Sequence, residues 1–176
     1  AVRDFLKKRI EKNVNKTYFI GIIGERGLFE TINTLTEFKN CVIVDKPPNK
    51  KLNKNDELNL IVGTVNKIKI TNLEKGLDWI NNNAKVITTC CDTTDPSSKG
   101  DFNLGMPSHI LHLLKYNTRA IRQYSLGEPH PIFKTKILQE LKGIPIEKIM
   151  FVGDTIYTDI RLANESNMIS CLVLTG

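Results

Sequence analysis

Apolar residues fall along this chain in short runs separated by polar stretches, and the runs alternate in character. Tyr18–Gly24 reads as a strand rich in isoleucine, followed by a helix around Leu28–Leu35 and a short strand over Cys41–Asp45. Lys46–Asp56 sets Pro47-Pro48 among polar residues and predicts an exposed loop, because proline removes backbone donors. Leu58–Val65 is the next strand. Thr71-Asn72-Leu73-Glu74 fits a capping box, so Thr71 should open a helix through Leu77, Trp79 and Ile80, with Trp79 in the core. Lys85–Cys90 returns as a strand. Residues 131–143 (PIFKTKILQELKG) are helical, and Ile149–Val152 is a strand. After a helix and a turn at Asn167, a second buried strand runs to Thr175-Gly176. Strands alternating with helices predict the α/β class with largely parallel strands, and no internal repeat is visible.

Composition narrows the classes. With 176 residues, 40% hydrophobic and 25% charged, the chain can bury a sizeable core as one domain or two small ones. No apolar run approaches the eighteen or so residues needed to span a bilayer, so no membrane partner is expected. The net charge of +6 invites a nucleic-acid reading, but the basic residues are scattered. The local concentrations, Lys7-Lys8-Arg9 and Lys46–Lys54, lack the interleaved aromatics of a stacking surface, and the second reads as a solvated loop. A positive surface would instead steer an anionic phosphate ester. Cys41, Cys90, Cys91 and Cys171 show no zinc-site spacing, which fits free thiols in a reducing, cytoplasmic setting. His109 and His112 lie three apart on a predicted helix, without a Cys or Glu at ligand spacing.

Chemistry concentrates at residues 148–159, KIMFVGDTIYTD. An apolar run ends in Gly153-Asp154, and a second carboxylate, Asp159, follows five residues later. A strand that delivers an aspartate into a glycine turn at its carboxyl end puts it where open α/β sheets bind ligands. Hard cations such as Mg²⁺ take one or two protein carboxylates together with waters and substrate phosphate. Asp154 and Asp159 are therefore candidate metal residues, with Gly153 allowing close approach of the backbone. The alternative is an ordinary strand–turn–helix in which Asp154 caps the helix.

The ordered series Gly127-Glu128-Pro129, helix, apolar strand, G-D-x-x-x-T-D-I, helix, apolar strand and L-T-G resembles the haloacid-dehalogenase (HAD) superfamily. Within it, the chain is similar to the branch of p-nitrophenyl, phosphoglycolate and pyridoxal phosphatases and NagD-type nucleotidases. Asn15–Leu28 (NKTYFIGIIGERGL) resembles that branch's approach to its cap domain, Leu58–Asp92 its strand–helix–strand, and Pro107 the opening of a following helix. The resemblance implies a Rossmann-like core with an inserted α/β cap. Residues 1–14 would be a linker into the cap, 15–106 the cap, and 107–176 the C-terminal half of the core. It also implies Mg²⁺-dependent hydrolysis of a small phosphorylated metabolite through an aspartyl-phosphate. Asp154 would ligate the metal, Asp159 would ligate or orient a metal-bound water, and the cap would select the substrate. Asp92 stands where relatives place the aspartate of a T-N-x-D turn that shapes the substrate pocket.

Two departures qualify this. The D-x-D-G-T motif that supplies the nucleophile does not occur in the sequence. The expectation is that an N-terminal core segment, or a subunit, covers the edge of the Ile149–Val152 strand; a homodimer is also compatible. Second, Glu128 occupies the position of the family's lysine. Two unit charges ~5 Å apart at an effective dielectric of about 20 interact by roughly 3 kcal/mol, so the reversal of sign is large. Glu128 could protonate, face away, or pair with Arg122, Lys134 or Lys136, and His130, next along, reads as a turn residue within reach of phosphate. Three readings follow: a phosphatase with its nucleophile upstream, a non-catalytic relative that keeps a binding or regulatory site, and a nucleic-acid or partner-binding module on the same fold.

Overall fold

A computed structural model gives the fold and describes residues 1–49, 51–65, 68–90, 94–96, 102–104 and 123–174. Its larger sheet has five parallel strands: β1 (Thr17–Ile23), β2 (Cys41–Ile43), β3 (Asp56–Val62), β4 (Lys85–Thr88) and β7 (Gln123–Ser125), in the order β2-β1-β3-β4-β7. Between β4 and β7, the strands β5 (Thr94–Pro96) and β6 (Phe102–Leu104) pair antiparallel. A separate parallel pair joins β8 (Met150–Gly153) to β9 (Ile169–Leu172). The helices are α1 (Val2–Lys12), α2 (Arg26–Asn33), α3 (Ile70–Asn81), α4 (Pro131–Glu140) and α5 (Arg161–Glu165). The expected α/β class with parallel strands is what the chain forms.

Parallel strands must be covered on both faces, and the residues of β1 divide accordingly. Phe19 and Ile23 pack with Leu58, Leu60, Val62, Trp79 and Ile80 on the α3 side. Tyr18, Ile20 and Ile22 pack with Leu6 and Ile10 of α1 on the other. Trp79 is fully buried, as expected, and its indole lies where a Cβ on Gly21 would be, so only glycine fits that point of β1. Its Nε1–H donates to the Asp45 carbonyl at 3.3 Å.

One polar anchor crosses the α1 face. Glu57 on β3 is only 7% exposed. Arg9 Nη2 of α1 lies 2.6 Å from its carboxylate, Lys85 Nζ of β4 2.7 Å and Lys16 Nζ 3.4 Å. The Tyr18 hydroxyl donates to the Arg9 carbonyl at 3.0 Å, tying the same turn of α1 to β1.

The structure adds to the sequence reading and corrects parts of it. Residues 1–14, read as a linker into the cap, are helical over α1, whose Val2, Leu6 and Ile10 recur at a spacing of four and form one buried stripe. The capping box does not form, because the helix begins two residues early with Lys69 instead of Thr71 at the N-cap and no side-chain cap bond, which leaves Thr71 inside the first turn. β7 lies inside the 107–176 segment yet pairs with β4, so the large sheet draws strands from both sides of the 106/107 boundary. β9, expected to be buried, and β8, expected to show an apolar face unless another segment covers it, pack one face on Ile137, Leu138, Leu141, Ala163 and Met168. Met150, Val152 and Ile169 remain 57%, 56% and 46% exposed.

Partial burial pushes the Glu57 carboxyl up, but the Lys85 hydrogen bond and the charges of Arg9, Lys85 and Lys16 outweigh it and hold the pKa below the usual range. A depressed carboxylate contributes stability above its unfolded pKa, about 4.3, and loses it as pH falls through the folded value. Glu57→Gln should cost about 2–3 kcal/mol in urea unfolding at pH 7, because it removes the counter-charge of the partly buried Arg9 and Lys85. The variant should also lack the part of the acid-induced loss of stability that the wild type shows below about pH 4.

Candidate functional site

The loop that follows β8 is organised around Asp159. The backbone N–H groups of Asp154 and Thr155 both donate to Asp159 Oδ2, each at 3.0 Å. Thr155 Oγ1 donates to Asp154 Oδ1 at 3.1 Å. The Asp159 side chain occupies the space a Cβ on Gly153 would fill, so glycine at the end of β8 is a steric requirement. From Ile156 to Ile160 the chain makes a π-helical turn, with Ile160 N–H donating to the Thr155 carbonyl at 3.2 Å, and α5 continues from it. Such turns recur at functional sites.

This geometry separates the two aspartates. The helical segment starts at Ile156 with Thr155 as its N-cap and no side-chain cap bond, so Asp154 does not serve as the helix cap. Asp154 is exposed at the carboxyl end of β8. Asp159 is half-buried and reaches back to clamp the loop that presents Asp154.

The second wall is the turn after β7. Leu126 N–H donates to the Thr88 carbonyl at 3.0 Å, which carries the β4–β7 pairing into the turn. A Cβ on Gly127 would fall 2.6 Å from the Thr89 carbonyl oxygen and from Cys90 Cα, so the turn lies directly on the carboxyl end of β4. His130 N–H donates to the Gly127 carbonyl at 2.8 Å and closes the turn. The Glu128–Pro129 peptide within it is cis.

Glu128 is what joins the two walls. Partial burial pushes the Asp159 carboxyl up, but a hydrogen bond with the Glu128 side chain, the N–H groups of Thr155 and Asp154, and the Asp154 side chain outweigh it and hold its pKa below the ordinary value. The lysines expected to balance Glu128 are engaged elsewhere: Lys134 Nζ donates to the Glu165 carbonyl, and Lys136 Nζ sits 2.8 Å from Asp4. Arg122, like Asp92, Cys91, Pro107, His109 and His112, lies outside the described residues.

The Asp154 and Asp159 side chains offer hard oxygen, which suits Mg²⁺. Among the described residues no three His, Cys, Asp or Glu side chains enclose a metal, so a cation here would rely on one or two carboxylates plus water. Sequence reasoning placed Asp154, Asp159 and Gly153 together but missed the Glu128–Asp159 contact and the commitment of His130 to a helix cap. The Pro131 that follows His130 is the signal that marks that helix start.

Comparison with known proteins agrees with this architecture. Residues 125–176 match the HAD-hydrolase-like family model. The fold is similar to that of a double-mutant thermostable p-nitrophenylphosphatase from Geobacillus stearothermophilus, with a TM-score of 0.71 and 24% identity over 98% of this chain and 62% of that one. It is similar to p-nitrophenyl phosphatase from Archaeoglobus fulgidus, with a TM-score of 0.67 and 23% identity over 98% and 59%. It is also similar to a calcium complex of glycerol phosphate phosphatase from Mycobacterium tuberculosis, with a TM-score of 0.70 and 19% identity over 96% and 46%. The chain thus spans less than two thirds of each of these phosphatases. None of the curated proteins matches the sequence. The family model supports the resemblance to the haloacid-dehalogenase superfamily in the C-terminal segment, and the structural matches show a shared fold across nearly the whole chain. No described helix is long and apolar enough to cross a membrane.

Gly153→Ala would force Asp159 out of its clamp. The expected result is a loss of about 1–3 kcal/mol in urea unfolding, from overpacking and two broken backbone bonds.

Proposed function

We propose that this chain provides the metal side and the substrate-covering sheet of a Mg²⁺-dependent phosphomonoester hydrolase that works through an aspartyl-phosphate. The observation that carries this reading is the Asp154–Asp159 loop, a clamped pair of carboxylates at the carboxyl end of a parallel strand, with a third carboxyl from Glu128 hydrogen-bonded to it. The phosphatase folds that the chain matches support the reaction class.

Asp154, exposed at the strand end, would hold the metal, and Asp159 would orient a water bound to it while fixing the loop. When bound, Mg²⁺ would neutralise phosphoryl oxygens and align the ester for in-line attack. Attack of a carboxylate oxygen on phosphorus breaks the ester P–O bond, and the alcohol leaves with a proton; water then cleaves the acyl phosphate. Gly153 leaves room for the Asp159 side chain that clamps the Asp154 loop, and Gly127 lets the Glu128 turn rest on the backbone at the end of β4. The attacking carboxylate has no D-x-D-G-T counterpart in these 176 residues. In this reading it belongs to a segment or subunit that packs on the β8–β9 face, where Met150, Val152 and Ile169 are exposed. The substrate would be a small phosphorylated metabolite, drawn by the net charge of +6, and the free thiols of Cys41, Cys90 and Cys171 suit a reducing cytoplasm.

The test is hydrolysis of p-nitrophenyl phosphate with and without Mg²⁺, by this chain alone and by a chain or complex that includes the covering segment. Mg²⁺-dependent activity is expected only in the second. Asp154→Asn should reduce it by more than about 100-fold and remove the Mg²⁺-induced rise in melting temperature. Turnover by this chain alone would put the nucleophile within its own sequence, and Mg²⁺ binding without turnover in either sample would sink the hydrolase reading.

A further inference from the structure

Among the described residues the candidate site is rich in side-chain acceptors and poor in side-chain donors. Glu128, Asp154 and Asp159 are carboxyl groups, whereas a phosphate dianion has to be held by N–H or O–H groups and cations. The two lysines nearest along the chain are committed to the Glu165 carbonyl and to Asp4. The turn that presents Glu128 ends, however, in a histidine whose other polar atoms are all in use.

His130 N–H donates to the Gly127 carbonyl at 2.8 Å, and its carbonyl accepts from the N–H groups of Phe133 and Lys134 at 2.9 and 3.2 Å. Its Nδ1 accepts from Ile132 N–H at 3.2 Å, so the side chain caps α4. Partial burial holds the histidine pKa below its usual value, which favours the neutral ring. A neutral imidazole that accepts at Nδ1 carries its proton on Nε2. Among the described residues, no group accepts that Nε2–H. The capping bond therefore fixes both tautomer and ring orientation, in the way an orienting partner does at a metal or catalytic histidine.

Resting on the phosphatase reading above, we propose that the Nε2–H of His130 is a phosphate-binding donor of this site and supplies the hydrogen bond that the carboxyl side chain of Glu128 cannot. The plain alternative is that His130 only caps α4. The two separate at Asn, which caps a helix as well as any residue but is too short to present the same donor.

The first measurement is a ¹⁵N imidazole NMR titration of the intact protein with inorganic phosphate in the presence of Mg²⁺. The free spectrum should show the Nε2–H tautomer for His130, and its Nε2 signal should move as phosphate saturates. His130→Asn should keep the wild-type melting temperature while weakening phosphate binding by about tenfold, the scale of one hydrogen bond to a charged group. A silent His130 signal during saturable phosphate binding would overturn the proposal and leave the phosphatase reading standing. So would unchanged affinity in a folded His130→Asn. Absence of any phosphate binding by the wild type would remove the phosphatase reading, and this inference with it.

Discussion

Glu57 is the carboxylate on which the arrangement of the larger sheet turns. A buried charge is costly, and it is tolerated here because Arg9, Lys85 and Lys16 converge on it from a helix, a neighbouring strand and the lead into β1. The cluster sets where α1 lies across β1, β3 and β4, and the apolar stripe of Leu6 and Ile10 then closes over Tyr18, Ile20 and Ile61. On the opposite face no charge is needed, since Trp79 settles against Gly21 and fills the layer by shape. One face of the sheet is positioned by electrostatics and the other by packing. Both hold the register in which Glu57 stands opposite Tyr18 and Asn59 opposite Lys85.

That register has a consequence at the other end of the strands. Because all five strands run parallel, their carboxyl ends share one edge, and the turns beyond β4 and β7 are brought side by side. Gly127 lets the second turn rest on the backbone of Thr89 and Cys90, and Glu128 then meets Asp159 from the smaller sheet. Space left by two glycines, at Gly127 for the β4 backbone and at Gly153 for the Asp159 side chain, therefore decides where the carboxyl groups stand. The aspartates do not find one another through their own attraction, which is repulsive.

Much of this was legible in the sequence. The isoleucine-rich strand, the αL turn at Asn167 (φ 58°), the buried Trp79 and the grouping of Gly153, Asp154 and Asp159 all follow from local pattern. Tertiary pairing was not legible. α1 was missed although its apolar residues recur every fourth position, because a charged segment before the first strand also reads as a connector. Thr71 is not the cap because Ile70 already adopts helical geometry behind Lys69, a two-residue shift of the N-cap that local chemistry does not forbid. β8 and β9 have the composition of buried strands but are covered on one face, and only partner elements decide that. The fate of Glu128 depended on a residue thirty-one positions away, Asp159, and no local pattern encodes it.

The Glu128–Asp159 contact also constrains how the site can respond to its surroundings. The Glu128 side chain and the N–H groups of Asp154 and Thr155 favour the charged form of Asp159, and a bound cation would favour it further. The turn that bears Glu128 also bears His130, whose Nδ1 accepts from Ile132 N–H and fixes the ring independently of Asp159. The acidic side chain of the turn is thereby separated from the side chain that caps the helix, although only Pro129 lies between them. An acidic residue can then occupy this turn while the helix cap and the loop clamp, each built on backbone N–H groups, stay as they are.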